Sequence, residues 1–153
     1  QITEMDLGRF NVPMLMIAPG IQEKFGTLDH TVGTQIDIVP TIMGRLGGEV
    51  RHQCWGRDLL DLPQGDTGFG VIKPSGSEQT TAIVTADQIL VLPRDKDMGP
   101  KIWNYQLGAN PGAQVVPNAP RTAELKLKLE AFLQTATKRL MDNTAGVIHG
   151  KPD

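Results

Sequence analysis

A short apolar run near the start of the chain is the feature that most constrains its fold. Residues 14–17 are Met-Leu-Met-Ile, with a proline shortly before and after them. Such a run, stopped by proline and glycine, predicts a β-strand over 13–18 that is buried on both faces, as in a parallel sheet. A parallel strand needs parallel neighbours, and the chain offers no second segment of this type. Residues 1–62 are therefore predicted to be the end of a larger α/β domain whose other strands come from other sequence.

The segment after this strand predicts a surface loop over 21–36 and then a helix over 37–47. Asp37 is expected to be the N-cap residue of the helix, and Gly47 its left-handed C-terminal stop. The apolar residues of this helix recur at i, i+4 and i+8 and predict a stripe that faces a core: Ile38, Ile42 and Leu46.

Residues 63–153 predict a C-terminal subdomain built on a small four-stranded antiparallel sheet. Short β-prone segments separated by turns indicate the strands: 71–73, 80–85, 88–92 and 102–107. A loop rich in proline, glycine and asparagine is predicted over 108–120. The longest helix is predicted over 121–143, because leucines recur along one side of it, and its expected role is to cover the sheet. The expected fold class is thus mixed α/β.

Composition lowers the expectation for several functional classes. The formal net charge of −2 lacks the basic surplus of nucleic-acid binders, so no nucleic-acid partner is expected. No apolar stretch approaches the roughly 20 residues that a membrane-spanning helix needs. Cys54 is the only cysteine, which excludes an internal disulfide. The chain starts at Gln1 without a signal peptide, which is typical of a processed product, an expression product or an internal fragment.

Two groups of residues have the chemistry of metal ligands. Asp29 and His30 are adjacent, although a histidine in a polar loop is more often a solvated surface residue. His52 and Cys54 could supply two zinc ligands, but a structural zinc site needs four, and His149 in the C-terminal tail is too remote to count. We therefore expect no metal site in this chain.

Other candidate motifs have simpler structural interpretations. Cys54 would act as a nucleophile only with a base such as His52 and an oxyanion site, and a partly buried free thiol is the favoured alternative. The glycines form no phosphate-binding loop. Trp103 and Tyr105 share one strand face and are expected to lie in a core rather than to stack on nucleotide bases.

The order of three motifs resembles the C-terminal part of the sulfatase-like enzymes of the alkaline phosphatase superfamily, especially the lipoteichoic acid synthase and phosphoglycerol transferase branch. The motifs are Val12-Pro13 with Pro19-Gly20 after the apolar strand, the run Gln-Ile-Asp-Ile-Val-Pro-Thr-Ile from Gln35 to Ile42 with Leu46-Gly47, and the run Gly-Arg-Asp-Leu-Leu from Gly56 to Leu60. Order and spacing are similar to the family's over about residues 9–62. Beyond residue 65 only the general plan is similar, a small antiparallel sheet closed by a C-terminal helix.

The resemblance implies an alkaline-phosphatase-like α/β sandwich whose metal ligands and nucleophile lie upstream of this chain. A divalent metal (Mn, Mg, Ca or Zn) is implied for that parent enzyme, together with a phosphate or sulfate ester substrate. The family's Asp-His-Gly metal motif typically precedes the Val-Pro strand. Here Asp29 and His30 follow that strand and Thr31 replaces the glycine, so metal binding is not carried over to them.

The resemblance also implies an extracytoplasmic parent, in the periplasm or at the cell surface, anchored in the inner or plasma membrane by N-terminal helices. This chain alone would be an inactive fragment that partners the upstream catalytic part. A loop after the carboxyl end of a parallel strand lies where open α/β sheets bind ligands, so His30 is the single expected substrate contact.

Two alternatives stay open at the level of the sequence. The chain could be a self-contained, non-catalytic extracytoplasmic binding or interaction module, or it could be an autonomous hydrolase that uses Cys54. A second copy of the chain, bound through the exposed edge of the sheet, is a possible partner. The residues also leave open sulfate against phosphate, and hydrolysis against transfer.

Overall fold

A five-stranded antiparallel sheet lies at the centre of the structure, a computed structural model that describes residues 7–49, 52–73, 80–93 and 95–144. Each strand pairs with the next one along the chain, so the spatial order is the sequence order. The strands are β1 (Gly70–Ile72), β2 (Thr81–Val84), β3 (Gln88–Leu92), β4 (Lys101–Gln106) and β5 (Gly112–Val115). The mixed α/β class with an antiparallel sheet is confirmed, whereas the predicted count of four strands is wrong.

The additional strand, β5, lies inside the predicted loop 108–120. It pairs with β4, with Ala113 opposite Tyr105 and Gly112 opposite Gln106. Its sequence, Gly-Ala-Gln-Val, contains one β-branched residue, so intrinsic propensity gives little sign of a strand. The pairing with β4 satisfies backbone groups that a loop would leave to water.

Helix α3 (Thr122–Met141) covers one face of the sheet, as the sequence predicts. Leu125 and Leu129 are fully buried and belong to one apolar cluster with residues of β2, β3 and β4. The partners on the sheet are Ile83, Leu90 and Ile102. The last turn of α3 lies beyond this cluster, and Leu140 is largely exposed there.

The opposite face of the sheet is covered as well, although the sequence indicates only one covered face. Leu7 is buried against it, and Val32 packs there from the loop that precedes the second helix. Trp103 and Tyr105 of β4 contribute to this second cluster, in agreement with their predicted place in a core. Because β2 and β3 are buried on both faces, their continuous apolar sequences do not alternate with polar residues.

Two helices precede the sheet. Helix α1 (Ile21–Phe25) is a short helix within the predicted loop 21–36, and helix α2 (Ile38–Leu46) lies where the sequence predicts 37–47. Asp37 is the N-cap residue of α2, as the sequence predicts, but its side chain makes no cap bond to the helix, because a 3-10 turn over Gln35–Asp37 leads directly into α2. Thr34 and Asp37 form a capping box around this turn instead.

The strand predicted over 13–18 is not formed among the residues that the structure describes. Residues 11–18 have no regular secondary structure, and Leu15 and Ile17 are 84% and 86% exposed. A strand needs a neighbour for its backbone hydrogen bonds, and none of the described segments pairs with this run. The expectation that the neighbours come from other sequence stays a prediction, as does the domain boundary near residue 62.

Candidate functional site

His30, the expected substrate contact, lies in an exposed loop between α1 and the 3-10 turn, which we call the His30 loop (residues 26–34). The neighbouring Asp29 carboxylate accepts a hydrogen bond from the Thr31 backbone N–H at 2.7 Å. Asp29 thus closes a local turn. The His30 side chain is exposed to solvent, so it is accessible to a ligand.

The most buried charged group next to this loop is the Asp37 carboxylate, which is 1% exposed. Its Oδ2 atom accepts hydrogen bonds from the Thr34 backbone N–H at 2.8 Å and from the Thr34 hydroxyl at 3.3 Å. Its Oδ1 atom accepts one from the Arg57 backbone N–H at 2.7 Å. A buried carboxylate is stable only when paired and hydrogen-bonded, and these donors meet that requirement.

Arg57 completes the pair with Asp37. Its Nη2 atom lies 3.3 Å from Asp37 Oδ2 and also donates to the Phe69 carbonyl oxygen at 2.7 Å. The guanidinium carbon lies 4.0 Å from the centre of the Phe69 ring, and the Lys128 ammonium of α3 lies at the same distance from that ring. Cation–π contacts of this kind stabilise the Phe69 ring beside two positive charges.

A threonine of α2 adds a second set of contacts between the same two segments. The Thr41 hydroxyl donates to the Asp37 carbonyl oxygen at 2.7 Å and accepts from the Leu59 backbone N–H at 3.0 Å. Gly56 lies so close to the 3-10 turn that an added Cβ would meet the Ile36 carbonyl oxygen at 2.0 Å. A side chain at position 56 would therefore force these segments apart.

A second ion pair stabilises the C-terminal end of α2. Arg45 Nη2 donates to Asp58 Oδ2 at 2.7 Å, and both side chains are about four-fifths buried. The Arg45 guanidinium also lies 4.7 Å from the centre of the Phe25 ring, so it connects α1 to α2. Together with Asp37 and Arg57, this pair connects residues 31–49 and 52–62 into one body, which we call the motif unit.

The motif unit contacts the described part of residues 67–144, which we call the sheet unit, at several places. Arg57 contacts Phe69, and the Val32 N–H donates to the Thr67 carbonyl oxygen at 2.9 Å. The Trp55 and Phe132 rings meet edge to face with centroids 6.4 Å apart. The two units thus share aromatic, cation–π and hydrogen-bond contacts.

The remaining candidates do not assemble into a site. Cys54 is exposed, against the expectation of partial burial, and its backbone N–H, not its thiol, contacts His52 Nδ1 at 3.2 Å. His149 lies outside the described residues. Within the described ranges, no group of three or more His, Cys, Asp or Glu side chains could hold a metal ion. Nor does any helix in the described part of the chain have the length and apolar character to cross a bilayer.

Sequence reasoning missed the pairing of Asp37 with Arg57. Both residues stand in motifs that carry the family resemblance, and a buried acid and a base 20 residues apart are a recognisable complementary pair. Their contact could have been proposed from that complementarity, but no local pattern gives the distance between two segments joined by a helix and a loop.

Comparison with protein-family models, with curated proteins and with solved structures gives no match for this chain.

Proposed function

We propose that this chain is the C-terminal part of a metal-dependent, sulfatase-like hydrolase or phosphoglycerol transferase that acts on sulfate or phosphate esters. The chain supplies scaffold and one rim of the substrate site, and the upstream part of the protein supplies the nucleophile and metal ligands. The parent enzyme is extracytoplasmic and anchored in a membrane through N-terminal helices. By itself the chain is inactive.

The observation that carries this proposal is the exposed apolar surface around residues 12–17. Val12, Leu15 and Ile17 are all more than three-quarters exposed, and contiguous apolar surface of this kind marks an interaction site. Leu46, which the sequence places in the core-facing stripe of α2, is exposed as well, and so is Val39. A large α/β sheet formed by upstream sequence would bury both.

The ion pair between Asp37 and Arg57 supports the proposal independently. The second and third motifs of the resemblance are separate in sequence, yet these two residues join them in a buried ion pair. Motifs that are in contact form one structural feature. A contact between the two motifs makes it less probable that their similarity to the family in order and spacing arises by chance.

In the proposed enzyme a divalent metal bound upstream would polarise the ester and lower the pKa of the nucleophile. The chemistry of this chain is confined to binding and orientation. His30, a hydrogen-bond donor in an exposed loop, would contact the negatively charged oxygens of the ester. Asp37 and Arg57 would hold the base of that loop.

A self-contained, non-catalytic binding module is the second candidate, and one observation favours it. The sheet unit has its own fully buried core, with no solvent exposure at Ile83, Leu90 or Leu129. A domain with a complete core can fold alone. In that case the apolar surface around residues 12–17 would bind a separate protein.

The two candidates differ in what covers Leu15 and Ile17. In this chain alone, changing both residues to Asp should alter the free energy of unfolding by less than about 0.5 kcal/mol, since both are exposed. In the protein encoded by the complete reading frame, the same double change should destabilise by several kcal/mol, because two buried apolar groups are worth about 1.5–3 kcal/mol each. Urea unfolding measures both values.

The matched control is Leu127→Asp, which changes an exposed leucine of α3 outside the proposed interface. Activity is tested with nitrophenyl sulfate and bis-nitrophenyl phosphate in the presence of Mn²⁺. We expect cleavage by the complete protein and none by this chain. If the double change is equally harmless in both proteins and neither cleaves an ester, the enzyme proposal is wrong and the binding module is supported.

A further inference from the structure

We propose that the sheet unit positions the His30 loop and thereby sets the affinity of the enzyme for its ester substrate. This inference rests on the proposed function, because it takes the His30 loop as one side of the substrate site. It goes further by assigning the sheet unit a role in substrate binding. The contacts that link the two units are the backbone bridge between Val32 and Gly68 and the hydrogen bond from Arg57 to the Phe69 carbonyl oxygen.

The first anchor of the loop is a backbone contact with the segment that enters β1. The Val32 N–H donates to the Thr67 carbonyl oxygen, and Val32 forms a parallel bridge with Gly68. Gly68 is buried, with a φ of 76°, and an added Cβ would lie 2.1 Å from the Val32 carbonyl oxygen. Only glycine lets the two backbones approach this closely.

The second anchor is a chain of charged and polar contacts. Thr34, at the end of the His30 loop, donates twice to Asp37, Asp37 pairs with Arg57, and Arg57 donates to the Phe69 carbonyl oxygen. Phe69 in turn contacts Lys128 of α3. Both anchors therefore end on the same three residues, 67–69, at the entrance to β1.

His30 lies two residues from the first anchor. Its backbone is further restricted by the turn that Asp29 closes on Thr31. A loop that is ordered before the ligand arrives loses less conformational entropy on binding, so pre-organisation raises affinity. Loosening the anchors should therefore weaken substrate binding and leave the upstream chemistry unchanged.

The test compares Gly68→Ala with Gly65→Ala. Both glycines have a positive φ, of 76° and 85°, so both variants carry the backbone strain of a left-handed alanine. Only at Gly68 does the new Cβ meet the His30 loop, since nothing lies within 4 Å of the position at Gly65. The difference between the variants isolates the anchor.

In this chain, amide hydrogen exchange of Val32 and Thr34 reports the anchors directly, because both N–H groups donate across them. We expect about tenfold faster exchange in Gly68→Ala, the equivalent of one lost hydrogen bond, and rates near those of the unmodified chain in Gly65→Ala. Equal rates in the two variants would overturn the inference.

In the complete enzyme, we expect Gly68→Ala to raise KM about tenfold with kcat unchanged, the pattern of lost binding rather than lost chemistry. A fall in kcat with KM unchanged would overturn the positioning role. Absence of any ester cleavage by the complete enzyme would instead contradict the proposed function, while the exchange result in the isolated chain would still decide whether the anchors exist.

Thr34→Val is the second variant, for the case in which Gly68→Ala does not fold. It removes one donor to Asp37 and keeps the backbone N–H. Thr27→Val is its control, because Thr27 is an exposed threonine of the same loop. A rise in KM for Thr34→Val that is absent in Thr27→Val supports the inference, and equal KM values for these two variants contradict it.

Discussion

At the scale of single residues, the Asp37 carboxylate organises the motif unit. It is nearly inaccessible to water and accepts hydrogen bonds from Thr34 and Arg57. The desolvation of a buried charge is offset only by good geometry and several donors. Asp37 therefore adds specificity to the fold, because any displacement of residues 56–58 leaves a buried charge without its partner.

Asp37→Asn should destabilise the chain by about 3 kcal/mol, because it leaves Arg57 without its counter-charge and turns an amide donor toward existing donors. Urea unfolding measures the change. Asp61→Asn is the control, since Asp61 is exposed, and it should stay within about 0.5 kcal/mol of the original chain. Equal stabilities of the two variants would show that the pair contributes nothing.

A second residue of interest is Tyr105, whose hydroxyl donates to the Thr85 carbonyl oxygen. Burial raises the pKa of this phenol above its ordinary value of about 10, and the negative charge of Asp87 adds to the effect. The folded chain thus holds this proton to a higher pH than the unfolded chain does. The associated stability is fully present below about pH 10 and is lost as the pH rises through the folded pKa.

Phenolate absorbance tests this directly, because Tyr105 is the only tyrosine. We expect its titration midpoint in the folded chain to exceed the midpoint in concentrated urea. The variant Tyr105→Phe should unfold more easily at neutral pH by about 1 kcal/mol, for the lost hydrogen bond, and should lose the part of the alkaline destabilisation that Tyr105 contributes. Identical midpoints in the folded and unfolded chain would contradict the assignment.

At the scale of elements, a periodic leucine stripe predicts helix α3, and two continuous β-prone runs around a short turn predict the β2–β3 hairpin. Strand β5 escapes prediction because its pairing with β4, and not its own side chains, determines it. The apolar run over 13–18 shows the converse: its sequence favours a strand, yet no described segment pairs with it.

The same distinction applies to the candidate site. The sequence selects His30 because its loop follows the run predicted to be a parallel strand, whereas the structure describes that run without a strand and leaves His30 in an exposed loop. The ion pair of Asp37 and Arg57 depends on the path of the chain after α2, which brings Arg57 back to the residue that precedes the helix. The helix, the following loop and the close glycine contacts together determine this approach of Arg57 to Asp37. No short sequence pattern predicts it.

At the scale of the whole molecule, the motif unit and the sheet unit are expected to unfold together. Three contacts described above join the two units: Arg57 with Phe69, Val32 with Thr67, and the ring of Trp55 with that of Phe132. The motif unit has few fully buried apolar residues, whereas the sheet unit holds most of the core. A unit without a sufficient core of its own depends on its neighbour for stability.

The two tryptophans allow this dependence to be measured, because Trp55 lies in the motif unit and Trp103 lies in β4. In Trp103→Phe the remaining fluorescence reports the motif unit, while far-UV circular dichroism reports mainly α3 and the sheet. We expect the two signals to change at the same urea concentration, as two-state unfolding requires.

Trp55→Phe is the control, in which the remaining fluorescence and the dichroism both report the sheet unit. If Trp55 fluorescence changes at a lower urea concentration than the dichroism, the motif unit opens by itself. The contacts of Arg57 and Trp55 would then be too weak to hold the His30 loop against the sheet.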